Sequence, residues 1–267
     1  MNDILQSILF NKSVATENGI TRPLHSNISA EEGNFLQEMI RSARPQVSLE
    51  IGCAYGISSL YICEALRDVN ASQHIIIDPY QHFPLGKGPL SGFEGIGLAN
   101  LRRAGYFDLI DFHEVPSYQY LSRLTEDRVT IDFAFIDGMH TFDYALVDVF
   151  LIDKLLRPGG IVILDDFSYP SIRSVCRYVL SNLRYRCVGP PSSQATLWRK
   201  LARRVRRDGI TELVSAPLRR IVIQGSLSDR QLNLPNDVNY VALQKLKDDL
   251  VSNVPEATRC WTDHTPF

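Results

Sequence analysis

The chain has no apolar run of the length a membrane span requires. Its first residues, Met1-Asn-Asp-Ile-Leu-Gln, lack the basic and apolar regions of a signal peptide, so no membrane anchoring is expected. A strong charge of either sign is also missing. The formal charge of −2 argues against a general nucleic-acid or membrane-surface role. Cysteine is sparse: Cys53, Cys63, Cys176, Cys187 and Cys260 are odd in number and form no CxxC pair, as expected of reduced, mostly buried thiols in a cytoplasmic protein. No internal repeat or low-complexity tract is visible.

What remains is ordinary globular composition, with 45% hydrophobic and 22% charged residues over 267 positions, enough for one large α/β domain or one with an appended segment. From Val47 to about Gly189, short apolar runs alternate with helical periodicity. Val47–Ile51, His74–Asp78, Leu109–His113, Asp132–Asp137 and Ile161–Asp165 read as strands. Helices are expected from Ser58, near Gly97–Ala104, from Pro116 at a first helical position, and over Thr141–Leu156, which Arg157-Pro-Gly-Gly terminates. Such alternation predicts a Rossmann-like, doubly wound, mostly parallel sheet with helices on both faces and right-handed crossovers. Residues 1–45 are expected as an N-terminal helical extension. There Ser29 and Glu32 form a capping box for the helix carrying Phe35, Leu36, Met39 and Ile40. Residues 46–192 form the core, and 193–267 an insertion with a return strand near Cys260–Phe267. The Pro/Gly-rich loop from Pro79 to Gly95 has the length of a lid. The basic run at 199–207 reads more simply as a solvated helix face than as an anion contact.

Three of the apolar runs end in acid: Asp78, Asp137, and the pair Asp165-Asp166. Ligands of open α/β sheets bind outside the carboxyl ends of the strands. Several carboxylates delivered to one such edge are costly unless a cation joins them. An all-oxygen set suits Mg²⁺, Mn²⁺ or Ca²⁺ rather than Zn²⁺. Each residue also has a plainer explanation. Asp165 or Asp166 suits a helix cap, Asp137-Gly138 a turn, and His140 a cap before Thr141. Tyr169, Trp261 and Phe267 suit either an acceptor pocket or the core.

The loop Glu50-Ile-Gly-Cys-Ala-Tyr-Gly follows a strand and opens a helix. Its G-x-x-x-G spacing differs from the G-x-G-x-x-G that cradles a pyrophosphate, and Glu50 before the first glycine would repel one. An amine-bearing ligand fits better, with Asp78 placed to accept from ribose hydroxyls. The plainer alternative is that Gly52 and Gly56 only make the strand–helix turn.

The run Ser29-Ala-Glu-Glu-Gly, then Leu49-Glu-Ile-Gly-Cys-Ala-Tyr-Gly-Ile-Ser-Ser, then Ile77-Asp resembles class I S-adenosylmethionine methyltransferases, and within them the catechol and caffeoyl-CoA O-methyltransferase group. The resemblance implies that Glu50 and Gly52 lie at the methionine end of the cofactor and that Asp78 holds its ribose. Ser117 and Tyr118 would meet the adenine, and Tyr55, Gly56, Ser58 and Asp137 complete the set. It further implies Asp137, Asp165 and Asp166 as metal ligands. At Ile136-Asp-Gly-Met-His140 the chain is similar to macrolide sugar O-methyltransferases with an I-D-G-x-H motif, which implies His140 as the general base. The expected activity is metal-assisted transfer of a methyl group to a hydroxyl oxygen of a small molecule such as a sugar, phenol or polyketide. The alternatives are a metal-independent N- or carboxyl-methyltransferase and a non-catalytic S-adenosylmethionine-binding protein. A homodimer is the base-rate expectation.

Overall fold

The acid-tipped runs become the parallel middle of one sheet because each is apolar on both sides. The structure, a computed structural model, describes residues 1–25, 27–84, 92–190, 229, 231–235 and 238–247. In chain order it begins with α1 (Asp3–Asn11), a small hairpin of β1 (Ser13–Ala15) and β2 (Thr21–Pro23), and α2 (Ala30–Ala43). The alternating core follows: β3 (Val47–Ile51), α3 (Ile57–Asp68), β4 (Gln73–Ile77), α4 (Ile96–Arg103), β5 (Ile110–His113), α5 (Ser117–Glu126), β6 (Ile131–Ile136), α6 (Phe142–Leu155) and β7 (Leu156–Leu164). Then come α7 (Pro170–Asn182), β8 (Tyr185–Gly189) and β9 (Val241–Lys245).

The seven-stranded sheet runs in the order β5-β4-β3-β6-β7-β9-β8. Strands β3 to β7 pair in parallel, whereas β9 lies antiparallel to both β7 and β8. Successive strand residues point to opposite faces, and burial follows that rule. Phe133, Phe135, Ile161 and Ile163 enter the core shared with α2, α3 and α4. Ala134, Ile136, Val162 and Leu164 enter the one shared with α5, α6 and α7. The direction of winding reverses between β3 and β6, which is where an open sheet of this kind leaves a crevice.

Some local expectations shift. Pro116 stands one position earlier, as the N-cap of α5. Arg157-Pro-Gly-Gly does not separate helix from strand but lies inside β7: Leu156 pairs with Ile131, the ladder bulges, and pairing resumes at Ile161 with Phe133. The N-terminal segment adds a hairpin to its helices. The return strand expected near Cys260–Phe267, the basic run, Trp261, and part of the Pro79–Gly95 loop lie outside the described residues. Among the described residues the antiparallel place beside β7 is taken by β9. No helix among the described residues is long and apolar enough to cross a membrane.

The crevice depends on one close approach. Gly52, at φ +89°, lies so near the loop after β6 that a Cβ there would meet the Asp137 carbonyl oxygen at 2.0 Å. Gly105, at φ +77°, has no atom within 4 Å of such a Cβ. Gly105→Ala is therefore expected to cost about 1–2 kcal/mol for its left-handed backbone alone. Gly52→Ala should add about 1–3 kcal/mol of overlap. Chemical denaturation of the two variants checks the difference, and equal losses would contradict it.

Candidate active site at the carboxyl edge of the sheet

The register of the parallel strands lines their ends up. Ile77 pairs with Ile51, Ile51 with Ile136, and Ile136 with Leu164, so the next residues, Asp78, Gly52, Asp137 and Asp165, form one row. Backbone bonds extend the ladder into that row: Gly52 N–H to Ile77, Asp137 N–H to Ile51 and Asp165 N–H to Ile136, at 2.9–3.0 Å. A cavity of about 980 Å³ opens along it. Its described wall contains Gly52, Asp78, Ser117, Tyr118, Asp137, His140, Asp165 and Asp166, and no lysine or arginine. Glu50, Tyr55, Gly56 and Ser58 do not line it.

At one end, potential ligand atoms of Asp137, His140 and Asp166 all lie within 4.8 Å of one another. His140 Nε2 is 3.1 Å from Asp166 Oδ2, and its ring stacks on Tyr169 with centroids 5.6 Å apart. Asp166 occupies the left-handed region at φ 52°, an uncommon conformation for a non-glycine residue and one often kept at functional sites. Asp165 stands outside that group of three. Its Oδ1 accepts from the Asp166 N–H at 2.6 Å and from Asn239 Nδ2 at 3.4 Å. The same Asn239 amide reaches Asp166 Oδ1 at 2.8 Å, while the Asn239 carbonyl oxygen accepts from the Phe167 N–H at 2.6 Å. The acid pair is thus held by a residue on the approach to β9.

Four carboxyl groups share this end, because Glu32 also faces it. Burial, reinforced by Asp165 and Asp166, lifts Asp137 well above the usual carboxylate range. Burial also raises Asp165. Glu32 is pushed up to about 10 by burial and then by Asp165. Without a cation Asp137, Asp165 and Glu32 retain protons above the pH at which free carboxyls lose them; a bound cation would reverse that preference. The donor set, carboxylate oxygens with one imidazole and no competing cationic side chain in the described wall, fits a hard divalent ion.

The middle of the row carries the glycine loop. Asp78 Oδ2 accepts from the N–H groups of Cys53 and Ala54, both at 2.9 Å, and from Gln81 Nε2 at 3.1 Å. Among the described residues its Oδ1 accepts only from the Tyr80 N–H, at 2.8 Å, and keeps a lone pair for a ligand hydroxyl. Glu50 lies behind the loop, fully buried. Ser58 and Ser59 donate to its two oxygens at 2.5 and 2.6 Å, and His74 Nε2 lies 3.1 Å away, with Ser48 on the far ring nitrogen. The carboxylate expected to touch the methionine end of a cofactor instead ties β3, β4 and the start of α3 together. Tyr55 turns the other way, its hydroxyl 2.8 Å from His25 Nε2.

At the opposite end, Ser117 opens α5 and donates to the buried Asp148 at 2.6 Å. Tyr118 meets Tyr144 edge to face with centroids 6.3 Å apart, forming an aromatic rim. Sequence reasoning missed Glu32, Asp148, Tyr144 and Asn239. Glu32 had a sufficient local role as a cap partner. Asp148 fits the polar face of a helix. Only the apolar alternation after Asn239, Val241-Ala-Leu, hinted at a strand there.

Residues 49–167 match a family model described as a methyltransferase domain. Caffeoyl-CoA O-methyltransferase 2 of Zea mays is 30% identical over 141 residues, 52% of this chain and 48% of the relative. Catechol O-methyltransferase of Bos taurus is 24% identical over 165 residues, 60% of this chain and 56% of the relative. The chain thus spans about half the length of the relatives it matches. Among solved structures, an O-methyltransferase from Bacillus cereus in complex with SAH superposes with a TM-score of 0.55 at 18% identity, covering 70% of this chain and 83% of that one. TomG from Streptomyces achromogenes, in complex with SAM, gives 0.53 at 19% identity, with 70% and 82% covered. Both likenesses are in fold.

Asp148 generates a prediction about pH. Burial lifts it to about 6, against the opposing Ser117 hydrogen bond. Between the ordinary carboxyl range and about pH 6 the folded state therefore binds more protons than the unfolded one, so this group's contribution to stability falls as pH rises. From about pH 4 to pH 8 the native protein is expected to lose about 2–3 kcal/mol more than Asp148→Asn. Denaturation across that range checks it, and parallel curves would rule it out.

Proposed function

We propose, because residues 49–167 match a family model described as a methyltransferase domain, that this chain transfers the methyl group of S-adenosylmethionine to a hydroxyl oxygen of a small molecule, assisted by a divalent cation. The observation that carries this reading is the convergence of Asp137, His140 and Asp166 in the same cavity as Asp78 and Ser117. A nucleoside held at one end would bring its reactive group toward the carboxylates at the other. The O-methyltransferases among the relatives and structural neighbours support the same reaction type.

S-adenosylmethionine supplies an electrophilic methyl on a sulfonium. A cation, which Asp137 and Asp166 would hold, would supply Lewis acidity that lowers the pKa of an acceptor hydroxyl. The chain's own groups do the rest. Asp78 Oδ1 has the free lone pair for a ribose hydroxyl. Ser117 and Tyr118 border the space for the base. His140 Nε2 lies 3.1 Å from Asp166 Oδ2, which holds the imidazole beside the carboxylates as the group to take the acceptor's proton. Tyr169 stacks on that imidazole and restricts its rotation. Because the attack is a simple displacement, orientation and exclusion of water account for most of what the protein must provide.

Mg²⁺ titrated calorimetrically into protein saturated with S-adenosylhomocysteine is expected to bind. Asp166→Ala should abolish that binding and leave the nucleoside ligand held. With vicinal diols and catechols as probe acceptors, chelation should stop methyl transfer and added Mg²⁺ restore it. His140→Ala should lower kcat about 10²–10⁴-fold. Full turnover after chelation would remove the cation from the mechanism, and undiminished turnover in His140→Ala would remove the base.

A further inference from the structure

Glu32 is the one member of the acidic end that does not come from a strand of the methyltransferase domain. It stands at the third position of α2, where a glutamate commonly reaches back to the N-cap amide. Ser29 makes its half of that exchange, accepting from the Glu32 N–H at 3.1 Å. The Glu32 side chain turns inward instead. It is 3% exposed, and its Oε1 has no hydrogen-bond partner among the described residues. Its neighbour Glu31 stays at the surface. Both glutamates border the cavity, but only Glu32 is buried there, close enough to Asp165 for the two carboxyls to interact directly.

The helix that carries Glu32 is firmly seated. A Cβ on the adjacent Gly33 would meet the Tyr61 ring at 2.4 Å, and Gln37 Nε2 donates to the Tyr61 carbonyl at 3.2 Å and to Glu64 at 2.6 Å. Leu36 and Ile40 of the same helix are fully buried. A buried acceptor left unpaired is costly, and it is placed here by a rigid element rather than by a loop. The arrangement makes sense if a positive charge belongs beside it.

We propose that Glu32 is part of the divalent-cation site, contributing a fourth carboxylate that, paired with Asp165, joins Asp137 and Asp166 beside His140. This rests on the cation reading of those three residues. It extends the site beyond the domain match at 49–167, because an N-terminal helix then supplies part of the charge that holds the ion. Glu32 acts on cation affinity rather than on the cofactor, whose ribose and base ends lie along the row at Asp78 and Ser117.

The test is calorimetric titration of Mn²⁺ and of Mg²⁺ into the full chain saturated with S-adenosylhomocysteine, comparing wild type, Glu32→Gln and Glu32→Asp. Glu32→Gln should bind both ions about 10–100-fold more weakly. Its affinity for S-adenosylhomocysteine should be unchanged, and its cation-free melting temperature equal to or above that of wild type, because the amide replaces a buried acid whose Oε1 lacks a partner among the described residues. Glu32→Asp, which keeps a carboxylate, should recover part of the lost affinity. Wild-type affinity in Glu32→Gln would overturn the proposal and leave the three-residue site standing. A lowered melting temperature with cation affinity intact would likewise overturn it, assigning Glu32 to structure alone. Absence of cation binding in wild type would overturn both this proposal and the reading it rests on.

Discussion

Parallel strands that start and stop in register deliver whatever follows them to the same edge. In this protein four adjacent strands do so, and acids follow three of them. The resulting row concentrates negative charge in a place where the backbone ladder and two apolar cores keep water scarce. Desolvation and mutual repulsion then act on the same groups, as the raised carboxyls of Asp137, Asp165 and Glu32 show. The chemistry open to the site follows from that constraint: it can hold protons, or it can hold a cation.

The supports of the row come from distant parts of the chain. Gly52 lets the first loop close against the Asp137 carbonyl, and Asp78 clamps that loop to the end of β4 through the N–H groups of Cys53 and Ala54. Behind them, Glu50 with Ser58, Ser59 and His74 forms a buried polar knot whose acceptors are satisfied inside the protein. Satisfied in this way, it stiffens the loop. At the far end Asn239 bonds both aspartates after β7, and α2 brings Glu32 to them. Sequence segments on either side of residues 49–167 therefore meet at the acidic pair after β7.

Several of these features were legible in the sequence for identifiable reasons. Buried parallel strands are apolar on both faces, so Val47–Ile51, the His74 run, the Phe133 run and the Ile161 run stood out as uninterrupted stretches. Their acidic ends marked the site's edge. The start of β7 was not legible, because Leu156 pairs before a bulge that Pro158 and two glycines disguise as a helix stop. The position of Glu50 before the glycine turn directs the sequence expectation toward a ligand. In the structure its side chain points back into serine hydroxyls eight and nine residues later and a histidine from the next strand. Asp165 and Asp166 are indistinguishable as sequence neighbours. The left-handed backbone at Asp166 sends one carboxylate toward His140 and leaves the other toward Glu32, with Asn239 bonded to both.

The sequence by itself determined the alternation of elements, the apolar strands, the loop glycines and the placing of acids at strand ends. Each of these is a local property, set by side-chain period and backbone freedom over a few residues. Only the tertiary structure decided which carboxylates face one another, which are used up by internal donors, and which helix and strand from outside the core close the site. Those outcomes depend on register between strands and on contacts between residues far apart in the chain, 74 positions in the case of Asp165 and Asn239. No local pattern encodes them, because the interaction energies arise only once desolvation brings the distant groups together.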